Sequence, residues 1–200
     1  MKKSILILLL IINNVCLGQE VSDTIILRKE ANYKIYIEEN RLSKQYFYQK
    51  DFSKFNVIDV LKNKKRHLPS KFIPLYLYKK SYYLSSPSDG YVPRIIIYND
   101  SIYYEDYEII KLKISSIKKI NKKTFKFSEI DDKNNVLIKV VNFKKGIYVF
   151  KTIDSNKKIS YKLMIDAEKA NFFPIVVNTS KFERVKEFDF EKIDFEKLIK

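Results

Sequence analysis

The chain has 200 residues, of which 39 are Lys or Arg and 24 are Asp or Glu, so its formal net charge is +15. One His and one Cys are too few for a zinc site, and three glycines are too few for a phosphate-binding loop. A serine hydrolase would have only His67 as its general base, and no Gly-x-Ser-x-Gly motif accompanies it. We therefore expect no metal, no cofactor and no catalytic residue.

The first residues have the order of a secretory signal peptide. Met1–Lys3 is positively charged, Ile5–Ile12 is apolar, and Cys16–Gly18 provides small residues at a cleavage site. The apolar run is much shorter than the roughly 20 residues that span a membrane. We predict that residues 1–18 are cleaved and that the mature chain is secreted or periplasmic, with no transmembrane segment. A lipoprotein anchored through Cys16 is the alternative. Cleavage would remove the only cysteine, and with it any disulfide or thiolate chemistry.

The first half of the mature chain contains candidate strands and one candidate helix. The segments TIILRK and NYKIYIEE predict strands, and residues 51–65 predict a helix with Asp51 as its N-cap. Two aromatic hairpins follow, LYLY with SYYLSS and then IIIYNDSIYY, which turns at Asn99-Asp100.

A run of basic residues follows the candidate helix. The run KNKKRH contains the densest basic patch of the chain: Lys62, Lys64, Lys65 and Arg66. Such a patch would suit an anionic envelope component or an acidic protein. Because 34 of the 39 basic residues are Lys, which lacks the fork of Arg, we expect no specific nucleic-acid recognition. A solvated connector is the favoured interpretation of the patch.

The second half predicts an antiparallel meander. Four candidate strands begin 11 or 12 residues apart and are separated by the turn segments DDKNN, FKKG and DSNKK: Thr124–Ile130, Val136–Asn142, Ile147–Ile153 and Ile159–Ile165. Alternation predicts one buried face and one solvated face. The predicted buried set is Phe125, Phe127, Val136, Ile138, Val140, Ile159, Tyr161 and Leu163, and the predicted solvated set is Lys126, Lys139 and Lys162.

The end of the chain predicts short helices. Asp166 can cap a helix over AEKANFF that ends before Pro174, and PIVVN then predicts a further strand. The segments DFEKI and DFEKL, which begin at Asp189 and Asp194, predict an amphipathic end that is helical from Asp194. We predict one domain over residues 19–200. Its class is mainly β, an antiparallel meander forming a barrel or sandwich with one or two short helices.

A strand-rich exported chain with a late helix and a final strand resembles the lipocalin-type barrels over residues 72–178. The resemblance implies a carrier of small hydrophobic molecules. The short Lys-Lys start and the Gln at the cleavage site are also similar to those of small exported β-rich proteins of Gram-negative bacteria.

The segment YYLSSPSDGYVPR contains the candidate ligand site. Pro87 and Gly90 make Ser86–Gly90 a turn first of all. A ligand site here would consist of Asp89, Tyr91, Arg94 and Tyr83, where an acid, aromatic rings and an Arg come together. The many tyrosines between Tyr76 and Tyr104 could form a stacking surface, although a packing role is favoured.

Three functions remain open. The first is a non-enzymatic binding or interaction module of the bacterial envelope. The second is a glycan-directed hydrolase, because Glu105, Asp106 and Glu108 with Asp89 offer a carboxylate pair. The third is a periplasmic inhibitor or immunity-type protein that neutralises an acidic partner.

Overall fold

The computed structural model describes residues 24–38, 68–89, 91–180 and 187–199. The predicted signal peptide with Cys16, the predicted helix over residues 51–65, the basic patch and His67 lie outside the described residues. No helix in these four ranges is long and apolar enough to cross a membrane.

The described part of the chain is mainly β, as predicted. Its fourteen strands are β1 (Thr24–Lys29), β2 (Tyr33–Glu38), β3 (Lys71–Pro74), β4 (Tyr76–Tyr78), β5 (Ser81–Ser86), β6 (Arg94–Tyr98), β7 (Ser101–Glu105), β8 (Ile109–Lys113), β9 (Lys118–Asn121), β10 (Thr124–Ser128), β11 (Asn135–Asn142), β12 (Ile147–Ile153), β13 (Ile159–Asp166) and β14 (Ile175–Ser180). Two short helices complete it: a 3-10 helix (Ala167–Phe172) and α1 (Phe195–Leu198).

The strands form two sheets. The larger sheet is antiparallel and has the order β8-β7-β6-β3-β13-β12-β11-β10-β9. It curls into a half-barrel, and one end of the curl closes because residues 113–115 pair with residues 128–130. The smaller sheet has the order β1-β2-β14-β5-β4, in which β14 runs parallel to β5. The predicted meander is therefore confirmed as β10 to β13, and both aromatic hairpins are confirmed.

The prediction of one buried and one solvated face fits β10 and β11, where Phe125, Phe127, Val136, Ile138 and Val140 are buried. It is wrong for β12 and β13, which have buried residues on both faces. Ile138, Phe150 and Lys162 lie opposite one another across β11, β12 and β13, so they share a face. Tyr161 and Leu163, like Ile159, consequently lie on the other face. Alternation assigns faces within a strand, but the turn between strands decides which parity is paired.

Both faces of the larger sheet are covered at its central strands, whereas the edge strands β8 and β9 are largely exposed. Inside the curl lies a barrel core of Leu68, Phe72, Ile95, Ile97, Ile102, Ile114, Phe125, Phe127, Val136, Ile138, Val140, Tyr148, Phe150 and Met164. Between the two sheets lies a second core of Ile73, Leu75, Leu84, Val92, Ile96, Ile147, Val149, Leu163, Ile165, Ala167, Ala170, Phe173, Ile175 and Val177. Since β12 and β13 contribute to both cores, they are the centre of the molecule.

The C-terminal elements follow their predicted caps. The Asp166 carboxylate accepts a hydrogen bond from the backbone N–H of Glu168 at 3.1 Å, although the helix that follows is of the 3-10 type. Asp194 caps α1 by accepting from the backbone N–H of Lys197 at 3.0 Å, which confirms the predicted helical start. The predicted strand after Pro174 is β14, and it joins the smaller sheet instead of extending the meander.

Candidate functional site

The candidate site is a slot in the larger sheet. Strand β3 pairs with β13 through Pro74 and with β6 through Phe72, but the chain then leaves for the smaller sheet as β4. The last backbone hydrogen bond between this segment and β13 runs from the N–H of Leu75 to the carbonyl of Leu163, at 3.0 Å. Within the described ranges no strand pairs with Ile159–Lys162 on the side away from β12. A cavity of about 340 Å³ results between β13 and the β6–β7 hairpin.

The walls of the slot are mainly apolar and aromatic. Its apolar and aromatic lining consists of Pro74, Leu75, Tyr76, Pro93, Ile95, Tyr104, Tyr161, Leu163, Met164, Ile193 and Phe195. Four charged residues, Arg94, Glu105, Asp106 and Lys162, complete it. Apolar walls with a small number of convergent polar groups are typical of ligand pockets.

The charged pair of the slot is Arg94 with Glu105. They lie opposite each other in the β6–β7 hairpin, and the Arg94 Nη1 is 3.4 Å from the Glu105 Oε2. Arg94 is 5% exposed, so its charge is taken out of water and is compensated by this carboxylate. The pair therefore presents a fixed, polar element within an apolar wall.

The predicted loop site lies beside the slot. The Asp89 carboxylate accepts from the backbone N–H of Tyr91 at 3.0 Å and from the Tyr107 hydroxyl at 2.8 Å. The rings of Tyr91 and Tyr107 are stacked, with centroids 4.9 Å apart. Burial raises the pKa of Tyr91 to about 12, and the charges of Glu105 and Asp106 act in the same direction. Asp89 thus organises the loop, and Tyr91 lies within electrostatic range of the slot carboxylates.

Of the four predicted ligand residues, three are brought together. The charge of Arg94 acts on the Tyr91 hydroxyl, and Asp89 holds the backbone of Tyr91. Tyr83 lies elsewhere, on the face of the smaller sheet that packs around Ile35. Its ring meets that of Tyr78 edge to face, with centroids 6.1 Å apart. Tyr83 is therefore separated from the other three by the fold.

The tyrosines between positions 76 and 104 do not form one surface. Tyr76 and Tyr104 line the slot, while Tyr82 and Tyr103 pack against the core between the sheets. Because neighbouring positions of a strand point to opposite faces, consecutive tyrosines are separated. The sheet thus gives these side chains several packing environments.

A second cavity, of about 220 Å³, adjoins the slot and contains a buried carboxylate. Glu129 is 2% exposed and accepts hydrogen bonds from the Tyr104 hydroxyl and, at 2.6 Å, from the Asn134 side-chain amide. Burial and the hydrogen bond to the Glu129 carboxylate raise the pKa of Tyr104 well above its usual value. The two cavities share Ile95, Tyr104 and Lys162 as lining residues.

Sequence reasoning missed Glu129, although a signal was present. Glu129 occupies the next position of the same parity after Phe125 and Phe127, both of which are buried. A carboxylate that continues an inward-facing alternation is expected to be buried with hydrogen-bond partners. Its partner Asn134 comes from the turn segment DDKNN.

The C-terminal segment forms the outer wall of the slot. Residues 187–199, which we call the tail, run past β4 and contribute Ile193 and Phe195 to the lining. The ring of Phe195 stacks on that of Tyr161 at 5.1 Å, and the ring of Phe190 stacks on that of Tyr76 at 4.5 Å. The Phe of DFEKI and the Phe of DFEKL therefore each stack on a tyrosine of the body of the protein.

The carboxylates considered for hydrolysis are arranged differently from one another. Glu105 is paired with Arg94, and Asp106 lines the slot beside it. Glu108 contributes its carbonyl to a turn by accepting from the N–H of Asp106 at 3.0 Å. In the four described ranges, no group of three or more His, Cys, Asp or Glu side chains could hold a metal ion.

Comparison of the chain with protein-family models, with curated proteins and with solved structures gave no match. The curled sheet is compatible with a barrel-like architecture at the level of strands alone. A functional conclusion must therefore come from the slot and its surroundings.

Proposed function

We propose that this protein is an exported, non-enzymatic binding module of the bacterial envelope and that the slot is its binding site. The observation that supports the proposal is the cavity of about 340 Å³ between β13 and the β6–β7 hairpin, with apolar walls and the ion pair of Arg94 and Glu105. Such a concave site can bury apolar ligand groups while a few polar groups fix their orientation. The N-terminal sequence supports the exported location.

Binding is favoured over hydrolysis by the state of the carboxylates. A glycosidase needs two carboxyl groups on either side of one glycosidic bond, and one of them must act as an acid. Glu105 is engaged by Arg94, and Asp106 is its direct neighbour in the chain, so the two do not form opposed groups across the slot.

The export part of the proposal is tested on the protein isolated from its host. An intact mass that corresponds to residues 19–200, in the periplasmic or secreted fraction, is the expected result. A mass that includes a lipid on Cys16 would replace this interpretation with an outer- or inner-membrane lipoprotein.

The binding part is tested by screening the mature protein against glycans, fatty acids, phospholipids and peptides, with native mass spectrometry and thermal shift as readouts. The variant Ile193→Trp fills the slot from the tail side and should lose binding at least tenfold. Lys192→Trp is the matched control, because Lys192 is the exposed neighbour of Ile193 and does not line the slot. Turnover of a glycan or ester that disappears in Glu105→Gln or Asp106→Asn would instead establish the hydrolase.

A further inference from the structure

The tail differs in charge from the rest of the protein. Residues 187–199 contain five acidic and two basic residues, a net charge of −3, in a chain whose net charge is +15. The tail also contains two successive pentads, DFEKI and DFEKL. An acidic, phenylalanine-bearing segment is thus attached to a basic protein.

The two pentads make equivalent contacts with the body. In each of them the Phe stacks on a tyrosine: Phe190 on Tyr76 and Phe195 on Tyr161. In each of them the following Glu accepts a hydrogen bond from the body. Glu191 accepts from the backbone N–H of Lys79 at 2.7 Å, and Glu196 accepts from the Tyr161 hydroxyl. The body of the protein therefore binds a Phe-Glu pair at two separate places, one beside β4 and one at Tyr161.

The tail also adds to a sheet edge. β4 is the last strand of the smaller sheet, and Glu191 forms a bridge to Leu77 on it, with an N–H to carbonyl distance of 2.9 Å. Backbone pairing to an edge strand, combined with pockets for side chains, is the usual way in which extended peptides bind to sheets. The tail groove, defined by β4, Tyr161 and the slot, thus has the elements of a peptide-binding site.

The tail is held at the surface. No residue of 187–199 is buried, and α1 has only four residues, too few to be stable without the body. Its half-buried side chains Ile193, Phe195, Leu198 and Ile199 pack against the core between the sheets from the outside. A surface segment of this kind opens at a lower free-energy cost than the strands it covers, so the tail can leave the groove while those strands stay paired.

We propose that the tail groove is a docking site for an acidic, phenylalanine-bearing extended segment of a partner protein, and that the tail occupies it until the partner displaces it. The charge of the groove fits this occupant, because its cations outnumber its carboxylates. The ammonium groups of Lys79 and Lys151 lie over the rings of Tyr78 and Tyr161, and Arg94 and Lys162 line the slot together with Glu105 and Asp106. This inference rests on the proposed function, since the tail forms one wall of the same slot.

The test uses the full mature chain and a labelled peptide with the sequence of the tail, EFDFEKIDFEKLI. In the wild-type protein the tethered tail competes at an effective concentration of the order of millimolar. The variant Phe190→Ala with Phe195→Ala weakens this competitor, so the peptide should bind it at least tenfold more tightly than it binds the wild type. Phe195→Ala alone provides a milder variant if the double variant is poorly folded. Phe143→Ala, which removes an exposed Phe outside the tail, should bind as the wild type does.

Peptide specificity completes the test. A scrambled peptide, and a peptide with Ala in place of the phenylalanines at positions 190 and 195, should bind at least tenfold more weakly. Adding Tyr76→Ala and Tyr161→Ala to the Phe190→Ala, Phe195→Ala double variant should abolish binding of the tail peptide. Equal binding of the scrambled peptide would overturn the inference. A concentration-dependent dimer of the wild type that is lost in Phe190→Ala would also overturn it, because the occupant would then be a second copy of this chain.

The outcomes separate this inference from the proposed function. If the peptide fails but another ligand binds and is blocked by Ile193→Trp, the docking inference is wrong and the binding slot stands. If nothing binds in a way that depends on the slot, the proposed function is wrong as well.

Discussion

Removal of one member of the Arg94–Glu105 pair should destabilise the protein far more than removal of both. At 3.4 Å and an effective dielectric constant of about 20, the attraction is about 5 kcal/mol, most of which offsets the desolvation of the two charges. The side chains are 4% and 15% exposed, so a remaining single charge is poorly hydrated. We therefore expect Arg94→Met to lower the free energy of unfolding by about 3 kcal/mol.

The assay is urea unfolding followed by circular dichroism, on the wild type, Arg94→Met, Glu105→Leu and the double variant. The double variant should lie within about 1 kcal/mol of the wild type, because two apolar side chains can replace a buried pair. The reasoning would be refuted if the double variant were as unstable as the sum of the single variants. Lys162→Met, at an exposed position of the same slot, is the control and should change the stability by less than about 0.5 kcal/mol.

Three further predictions concern stability. Gly146→Ala should cost about 1–2 kcal/mol in a urea titration, because the backbone has a φ of +67° and a Cβ would lie 2.8 Å from the Lys169 Cδ; an unchanged midpoint would contradict this. Lys79→Asn with Lys80→Gly should raise the free energy of unfolding by about 1 kcal/mol, because both lysines have positive φ in a two-residue hairpin turn, and a lower stability would count against that explanation. Burial raises the pKa of Tyr148 to about 12, so its contribution is complete below pH 10 and should be lost as the pH rises from 10 to 12, by up to about 3 kcal/mol. Tyr148→Phe should reduce the slope of that part of the pH profile, which alkaline unfolding curves measure. Some slope should remain, because burial also raises the pKa of Tyr91 and of Tyr104; an unchanged slope would argue against Tyr148.

The slot was only partly accessible to sequence reasoning. Asp89, Tyr91 and Arg94 were predicted as neighbours because they are close in the chain and share one loop and strand start. Tyr83 was grouped with them for the same reason, but β5 belongs to the other sheet, so nearness along the chain did not become nearness in space. Tyr161 in the slot and Glu129 in the adjoining cavity were not predicted, because their hydrogen-bond partners are distant in the chain: Glu196 is 35 residues from Tyr161, and Tyr104 is 25 residues from Glu129.

By itself, the sequence determined the strands of the meander, their turns and the caps at Asp166 and Asp194, because alternation, turn residues and capping depend on neighbours within a few positions. Only the tertiary structure decided which faces of those strands are buried, where β3 leaves the sheet and how the tail closes the slot. The two DFEKI-like pentads were visible in the chain, but their tyrosine partners belong to strands that the fold brings to them. These features depend on register and on long-range packing, in which a shift of one residue exchanges the two faces of a strand.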